Sequence, residues 1–230
     1  HVAPGAPGVR RKARGLQPAG PARERRLLRR RLPLALPLTD RFRHLANRLS
    51  TRQLPPDDPD PALLWAAVAL VLVPSPDSFL LIRRAHREGD PWSGHLALPG
   101  GRREEGDHDL VDTAIREVLE EVGMPLDRHH LVGRLADVIP RTPTIPPVAV
   151  RPWVFVIPSR PRLVLNDEVS AAEWVAVDHL LYAGNYRPVS LELRGAAREF
   201  PAYHMEDSYI WGMTERILTN LIEEFRRSES

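Results

Sequence analysis

The chain contains no cysteine, so no disulfide framework organises it and a reducing compartment is expected. Long hydrophobic runs are missing too. The stretch Leu63 to Val73, eleven residues, falls far short of the ~20 that a membrane-spanning helix needs, and it reads as a buried strand. No uninterrupted apolar stretch with a small-residue cleavage site follows the Arg-rich start, so no secretory signal is expected. Internal repeats are absent. The expectation is a soluble, cytoplasmic enzyme.

Charge of one sign is scarce at one end. Residues 1–31 hold nine Arg and one Lys against one Glu, which sums to +9; the net +2 of the whole chain therefore leaves −7 on residues 32–230. Residues 1–35 read as a basic Pro/Gly/Arg-rich tail, expected to be disordered apart from one short helix around Pro21 to Leu32. Its clusters Arg23-Glu24-Arg25-Arg26 and Arg29-Arg30-Arg31 suit a solvated tail first. They are also compatible with a grip on nucleic acid or an anionic membrane, or with a mitochondrial presequence, although the stretch lacks Ser. Residues 36–60 read as a short helix and a linker. The helix runs from Thr39 to Leu54, with Phe42, Leu45, Ala46 and Leu49 on one side, before Pro55-Pro56 breaks it. Residues 61–230 are expected to form one domain.

Within that domain the most informative stretch is Leu98 to Met124, a glycine turn feeding a helix of carboxylates. Val111, Ile115, Val118 and Val122 recur at helical spacing and predict a helix over 109–122 with one apolar stripe. At ~100° per residue, Glu117, Glu120 and Glu121 fall on the opposite, exposed face. Three like charges at i, i+3 and i+4 repel one another, so a positive partner is expected. Clustered hard oxygens suit Mg²⁺ or Mn²⁺, and the lack of Cys and of a well-spaced His pair argues against zinc. Arg116 is positioned to orient Glu120. Pro99-Gly100-Gly101 lets bare backbone approach a metal or phosphate.

Trp65 to Val73 and Phe79 to Arg84 read as a hairpin joined by Pro74-Ser75-Pro76-Asp77. Arg83, Arg84 and Arg87 follow as candidate phosphate ligands, and His95, in an expected strand, is expected to be structural or to touch substrate. Beyond the carboxylate helix, strands are expected at Leu131 to Val138 and Val148 to Ile157, the second placed by Pro152 at an edge or a bend. The Pro-rich segment between them, residues 140–147, is expected to wall the substrate cleft. Glu173 to Val177 leads into a short helix, Arg198 to His204 forms a last strand, and Ile210 to Phe225 forms a closing core helix.

Gly101, Arg116-Glu117, Glu120-Glu121 and Gly123 resemble the Nudix box, G-x5-E-x7-R-E-U-x-E-E-x-G-U with U aliphatic. Counted back from Arg116, the box glycine and first glutamate would fall on Arg102 and His108; the sequence offers Gly101 and Asp107, a form one residue longer. The longer form, with Asp112 to Glu117, resembles the coenzyme A pyrophosphatase branch of that family, as does Tyr209-Ile210-Trp211-Gly212-Met213-Thr214. The resemblance spans about residues 61–225 and implies an α/β/α sandwich with a mixed β-sheet between helices. It further implies Mg²⁺- or Mn²⁺-dependent hydrolysis of a nucleoside diphosphate derivative. Glu117 and Glu121 are then metal ligands, Glu120 a further ligand or the proton acceptor, and the Gly101 carbonyl a weaker ligand. In many family members an acidic residue of a later loop approaches the metals, which makes Glu168 the rival proton acceptor. Arg83, Arg84, His95 and Gly100 are the substrate-binding candidates. The branch pattern LLTxRS-x3-R-x3-G-x3-FPGG is matched at Leu80-Leu81, Arg84 and Gly94 and at Pro99-Gly100-Gly101, whereas Ile82, Ala85 and Leu98 replace Thr, Ser and Phe. Coenzyme A or an acyl derivative leads as substrate, with ADP-ribose, dinucleotides, RNA 5′ ends and a non-catalytic sensing module as alternatives.

Overall fold

Strand β1, Leu64–Val73, is the central rib, and its alternation builds two cores at once. Ala67, Ala69, Val71 and Val73 face one apolar cluster, whereas Ala66, Leu70 and Leu72 face the other, as the period of two in a strand requires. The computed structural model describes residues 38–51, 60, 62–90, 92–139, 148–193 and 196–227. The basic tail and the Pro-rich segment 140–147 lie outside the described residues. Among those described, no helix is long and apolar enough to cross a membrane.

On one side β1 pairs in parallel with β6, Val148–Val156, in register from Leu64↔Val148 to Leu72↔Val156. On the other side it meets β2, Ser78–Arg84, but only at Leu72↔Phe79 and Val73↔Ser78. The hairpin expected from sequence is therefore closed at its tip and splayed below. The chain fills that gap with its own backbone. Strand β3, Leu96–Ala97, adds to β2, and β4, Gly100–Arg102, adds antiparallel to β1, with Gly101 opposite Ala67. Strand β5, Leu131–Arg134, pairs antiparallel with β6, and β7, Val169–Ala176, with β2.

Pro152, expected at an edge or a bend, sits inside β6. Its carbonyl accepts from the Leu135 amide at 3.0 Å, so its missing N–H would point to the same side. There β5 has already ended at Arg134, and no ladder bond is lost. The strand expected from Leu131 to Val138 is shorter for the same reason: after Arg134 only Val138 returns, as a bridge to Val150.

Among the described residues, four helices cover the sheet. α1 is Asp40–Thr51, α2 Leu110–Val122, α3 Val177–Leu181 and α4 Gly212–Arg226. α2 packs alone on one face against Ala67, Ala69, Leu80, Ile82, Trp153 and Phe155. The other three pack on the opposite face. This is the α/β/α sandwich with a mixed sheet that the sequence led us to expect. The expected apolar sides of α1 and α4 are buried, and Phe42 stacks on Phe225 at 6.3 Å between centroids. Packing thus reaches back to α1, upstream of the boundary expected near Pro61, because an amphipathic helix with four buried residues contributes to the core rather than to a linker.

A second, three-stranded sheet was only partly foreseen. Strands β8, Tyr186–Leu193, β9, Ala196–His204, and β10, Tyr209–Trp211, pair antiparallel. β10 occupies residues assigned from sequence to the closing helix, which starts at Gly212, where φ is 69°. A left-handed glycine lets the chain turn from strand into helix without a Cβ penalty.

Candidate active site

The wedge of β3 and β4 delivers two glycines to the catalytic-looking helix. At Gly100, with φ 153°, a Cβ would lie 2.3 Å from the Ala67 carbonyl oxygen and 2.6 Å from the Val68 Cα, both main chain. At Gly101 a Cβ would lie 2.2 Å from Glu117 Oε1. Bare backbone is thus pressed between β1 and the carboxylates of α2. The Gly100 amide donates to Glu121 Oε2 at 2.9 Å.

α2 is set by its ends. Asp109 caps the start, its carboxylate accepting from the amides of Val111 and Asp112 at 2.9 Å, and Gly123 closes it in a left-handed turn with φ 63°. Arg128 bonds both Asp109 and Asp112. The buried face consists of Val111, Ala114, Val118 and Val122, with Ile115 only partly covered.

The three glutamates are not equally exposed, which corrects the expectation of one exposed face. Glu121 is 4% exposed, because β4 and the loop before β7 close over its flank. Burial pushes its carboxyl up to about 8; Glu117 and Glu168 add to the rise, while the Gly100 amide and Arg84 oppose it. Burial also raises Glu117, against the pull of Arg116. Glu120 is half exposed.

Part of the positive partner expected for this face belongs to the chain itself. Arg116 Nη1 donates to Glu117 Oε1 at 2.9 Å and to Glu120 Oε2 at 3.0 Å, and Nη2 donates to the Arg102 carbonyl at 2.9 Å. Its Nε and Nη2 both bond Asp107 at 3.1 Å. Asp107 is buried and accepts further from the Glu104 amide and the Thr113 hydroxyl, each at 2.9 Å. Burial raises its carboxyl, but these donors outweigh burial and hold it below the usual range. The sequence alone assigns Asp107 no role. Its spacing from Gly101 is that of the box, so the additional residue lies between Asp107 and Arg116.

Glu168 is brought to the same site by backbone stitching. The Asn166 amide bonds the Glu121 carbonyl at 3.2 Å, and the Ala85 amide bonds the Glu168 carbonyl at 2.8 Å. The Glu168 side chain, half exposed, accepts from Arg87 Nη2 at 3.0 Å. The two neighbouring arginines part company. Arg84 stands on the α2 side, paired with Asp90 at 2.9 Å, and its buried Nε–H finds no partner among the described residues. Arg83 points to the other side of the strand and bonds the Gly94 carbonyl, Asp207 and Ser208. His95 is separate from the carboxylates and packs its ring on Trp92 and Trp211.

The structure therefore assembles Glu117, Glu120, Glu121, Arg116, Gly100 and Gly101, with Glu168 and Arg84 beside them. As they stand, no three His, Cys, Asp or Glu side chains among the described residues converge on one point for an ion. The donor chemistry nevertheless fits a hard divalent cation. Only carboxylate and carbonyl oxygens are offered, one carboxylate is buried with too little positive charge to hold it ionised at neutral pH, and the Gly101 cradle leaves no room for a Cβ.

A carboxylate helix tied by an Arg fork to a glycine wedge, inside an α/β/α sandwich, is an arrangement suited to hydrolysis of nucleoside diphosphate derivatives. Residues 63–193 match the family model of the NUDIX domain, and the chain belongs to that family. It is 30% identical over 157 residues to the uncharacterized Nudix hydrolase NudL of Escherichia coli, a match covering 68% of this chain and 80% of that protein. Over 107 residues it is 41% identical to an uncharacterized protein of Schizosaccharomyces pombe, covering 44% of this chain and only 32% of that longer protein. A MutT/nudix family protein from Enterococcus faecalis shares the fold, with a TM-score of 0.50 over 90% of this chain and 75% of that one at 19% identity.

Proposed function

We propose that the chain hydrolyses the diphosphate bond of coenzyme A or an acyl derivative, giving 3′,5′-ADP and the corresponding 4′-phosphopantetheine, with Mg²⁺ or Mn²⁺ held by Glu117, Glu121, Glu120 and the Gly101 carbonyl. The observation that carries the reading is the contact of the Gly100-Gly101 backbone with Glu121 and Glu117, which gathers hard donors beside Arg84. Bound divalent ions supply neutralisation of phosphate oxygens and activation of water. Arg116 holds Glu117 and Glu120 in register. Arg84, held by Asp90 and with its side chain 40% exposed, offers its guanidinium to a phosphate oxygen as a charge-assisted bond. Water attacks one phosphorus, the bond from that phosphorus to the bridging oxygen breaks, and the departing phosphate carries the oxygen away. Glu120 or Glu168, both half exposed, takes the proton from water.

Two departures from the branch pattern do not count against coenzyme A. Ile82 is 1% and Leu98 4% exposed, so the replaced Thr and Phe positions belong to the core. From Ala85 to Gly94 the chain is one residue longer than that pattern, and this stretch is the loop between β2 and β3. Arg83, committed to Asp207 and Ser208, has a weaker claim to phosphate than Arg84.

The test is hydrolysis of coenzyme A, dephospho-coenzyme A and ADP-ribose side by side with Mg²⁺ and Mn²⁺. The reading expects coenzyme A to have the highest kcat/KM, because a cationic contact to its additional 3′-phosphate is lost in the dephospho form. Equal efficiency on the dephospho form would remove that contact, and faster turnover of ADP-ribose would overturn the substrate.

A further inference from the structure

Trp92 is 49% exposed, although it sits in a loop that is firmly braced. Its amide donates to Asp90 Oδ1 at 3.0 Å, and its carbonyl accepts from the His95 amide at 3.2 Å. Across the same loop the Arg87 amide bonds Ser93 Oγ at 2.9 Å, Ser93 Oγ bonds the Arg87 carbonyl at 2.9 Å, and the Gly94 amide bonds the Arg84 carbonyl at 3.1 Å. A half-exposed indole is thus held in place by backbone that does not depend on its ring.

Behind it lie more rings. Trp92 and Trp211 have centroids 5.8 Å apart, His95 stands edge-on to Trp211 at 5.2 Å, and Phe200 backs Trp211 at 5.2 Å. The cluster spans the seam between the main sheet and β9–β10. Burial lowers the His95 pKa, so near neutral pH this backing carries no charge. Asp90 ties the cluster to the reaction site, since one carboxylate oxygen holds the Trp92 amide and the other holds Arg84 Nη2. Arg84 in turn acts on Glu121.

A nucleoside diphosphate has a charged middle and one flat aromatic end. Because Asp90 holds both Arg84 and the Trp92 amide, a nucleotide whose phosphates sit at Arg84 has this loop beside it for its base. We propose that Trp92, backed by His95 and Trp211, is the platform on which the substrate's nucleobase stacks. The assignment rests on the diphosphatase reading above for the location of the phosphates, but base binding is measurable without turnover.

The experiment is calorimetric titration of the full chain, in Mg²⁺, with AMP and with ribose 5-phosphate, for the parent protein, Trp92→Ala and Trp92→Phe. Loss of a stacked base in the Ala variant is expected to weaken AMP by about 5- to 150-fold. Ribose 5-phosphate should be unaffected, and Phe should restore AMP binding to within a few-fold. Since half of the ring is buried against Trp211 and His95, the melting temperature should fall modestly, and the titrations are run well below it. AMP affinity unchanged in Trp92→Ala, equal weakening of both ligands, or no AMP binding by the parent would overturn the platform. Base-dependent weakening in a protein that hydrolyses no nucleotide diphosphate would uphold the platform and remove the diphosphatase reading. Hydrolysis with kcat and KM unchanged in Trp92→Ala would do the reverse.

Discussion

Replacing Glu121 by Gln should stabilise the protein while nearly abolishing its turnover, and the stabilisation should depend on pH in a defined direction. Its carboxyl is raised from 4.5 to about 8 in the folded chain, chiefly by burial. A carboxyl whose folded pKa lies above its unfolded value binds its proton more tightly in the native state. Its contribution to stability is therefore fully present below about 4.5 and is lost as pH rises toward 8. At about 1.36 kcal/mol for each tenfold step, the displacement sets a ceiling of roughly 5 kcal/mol on the penalty borne by the ionised form. The variant gives back part of the gain, because the Gly100 amide exchanges a charged acceptor for a neutral one at a loss of about 1 kcal/mol. Allowing for relaxation around the ionised group, a net gain of about 1–3 kcal/mol at pH 8–9 is expected, or ~3–10 °C in Tm for a domain of this size. Near pH 5 the difference should be small. Thermal melts of both proteins in chelator, from pH 5 to 9, provide the assay. A Glu121→Gln protein less stable than the parent at pH 8, or a difference flat across the range, would refute the reasoning.

The adjacent glycines should separate fold from chemistry. Gly100→Ala drives a Cβ into the main chain of Ala67 and Val68 at a backbone angle that L residues rarely adopt, and should cost several kcal/mol or prevent folding. For Gly101→Ala the nearest atoms are those at the movable end of Glu117, so Tm should fall little while turnover and divalent-cation affinity drop at least tenfold; unchanged turnover would detach Glu117 from the chemistry. Asp107→Asn breaks the pair of bonds that fixes Arg116 and should cost about 3 kcal/mol by urea denaturation at pH 7. Because the Asp107 carboxyl is held low in the fold, its contribution is present above 3.8 and is lost only as pH falls through the lowered value. The gap between parent and variant should therefore close in acid.

The elements most legible in the sequence were those whose packing follows directly from periodicity. The apolar sides of α1 and α4 were readable because Phe42, Leu45, Ala46 and Leu49, and Ile217, Leu218, Leu221, Ile222 and Phe225, recur at helical spacing and are buried. The glutamates of α2 could be placed on one helix, but not the burial of Glu121. That depends on β3 and β4 entering between β1 and β2, a pairing of residues far apart in the chain that no local pattern encodes. Arg83 and Arg84 looked equivalent as neighbours, yet alternation along β2 sends them to opposite faces. β8 carried a usable signal, since Val189, Leu191 and Leu193 alternate with Ser190 and Glu192, but Pro188 obscured it. In the structure Pro188 stands opposite Pro201 in the ladder of this small sheet.

The central claim is that the carboxylate face of α2 carries out metal-dependent hydrolysis of a nucleoside diphosphate bond. The most direct measurement is product analysis by mass spectrometry after incubation with a panel of nucleoside diphosphate derivatives. It should compare the parent, Glu117→Gln and Glu121→Gln proteins with Mg²⁺, with Mn²⁺ and with chelator. The account predicts cleavage within the diphosphate by the parent only when a divalent ion is present, and a loss of at least a hundredfold in either variant with the fold retained. Cleavage that persists undiminished in Glu121→Gln, or no cleavage of any member of the panel by the parent, would contradict it.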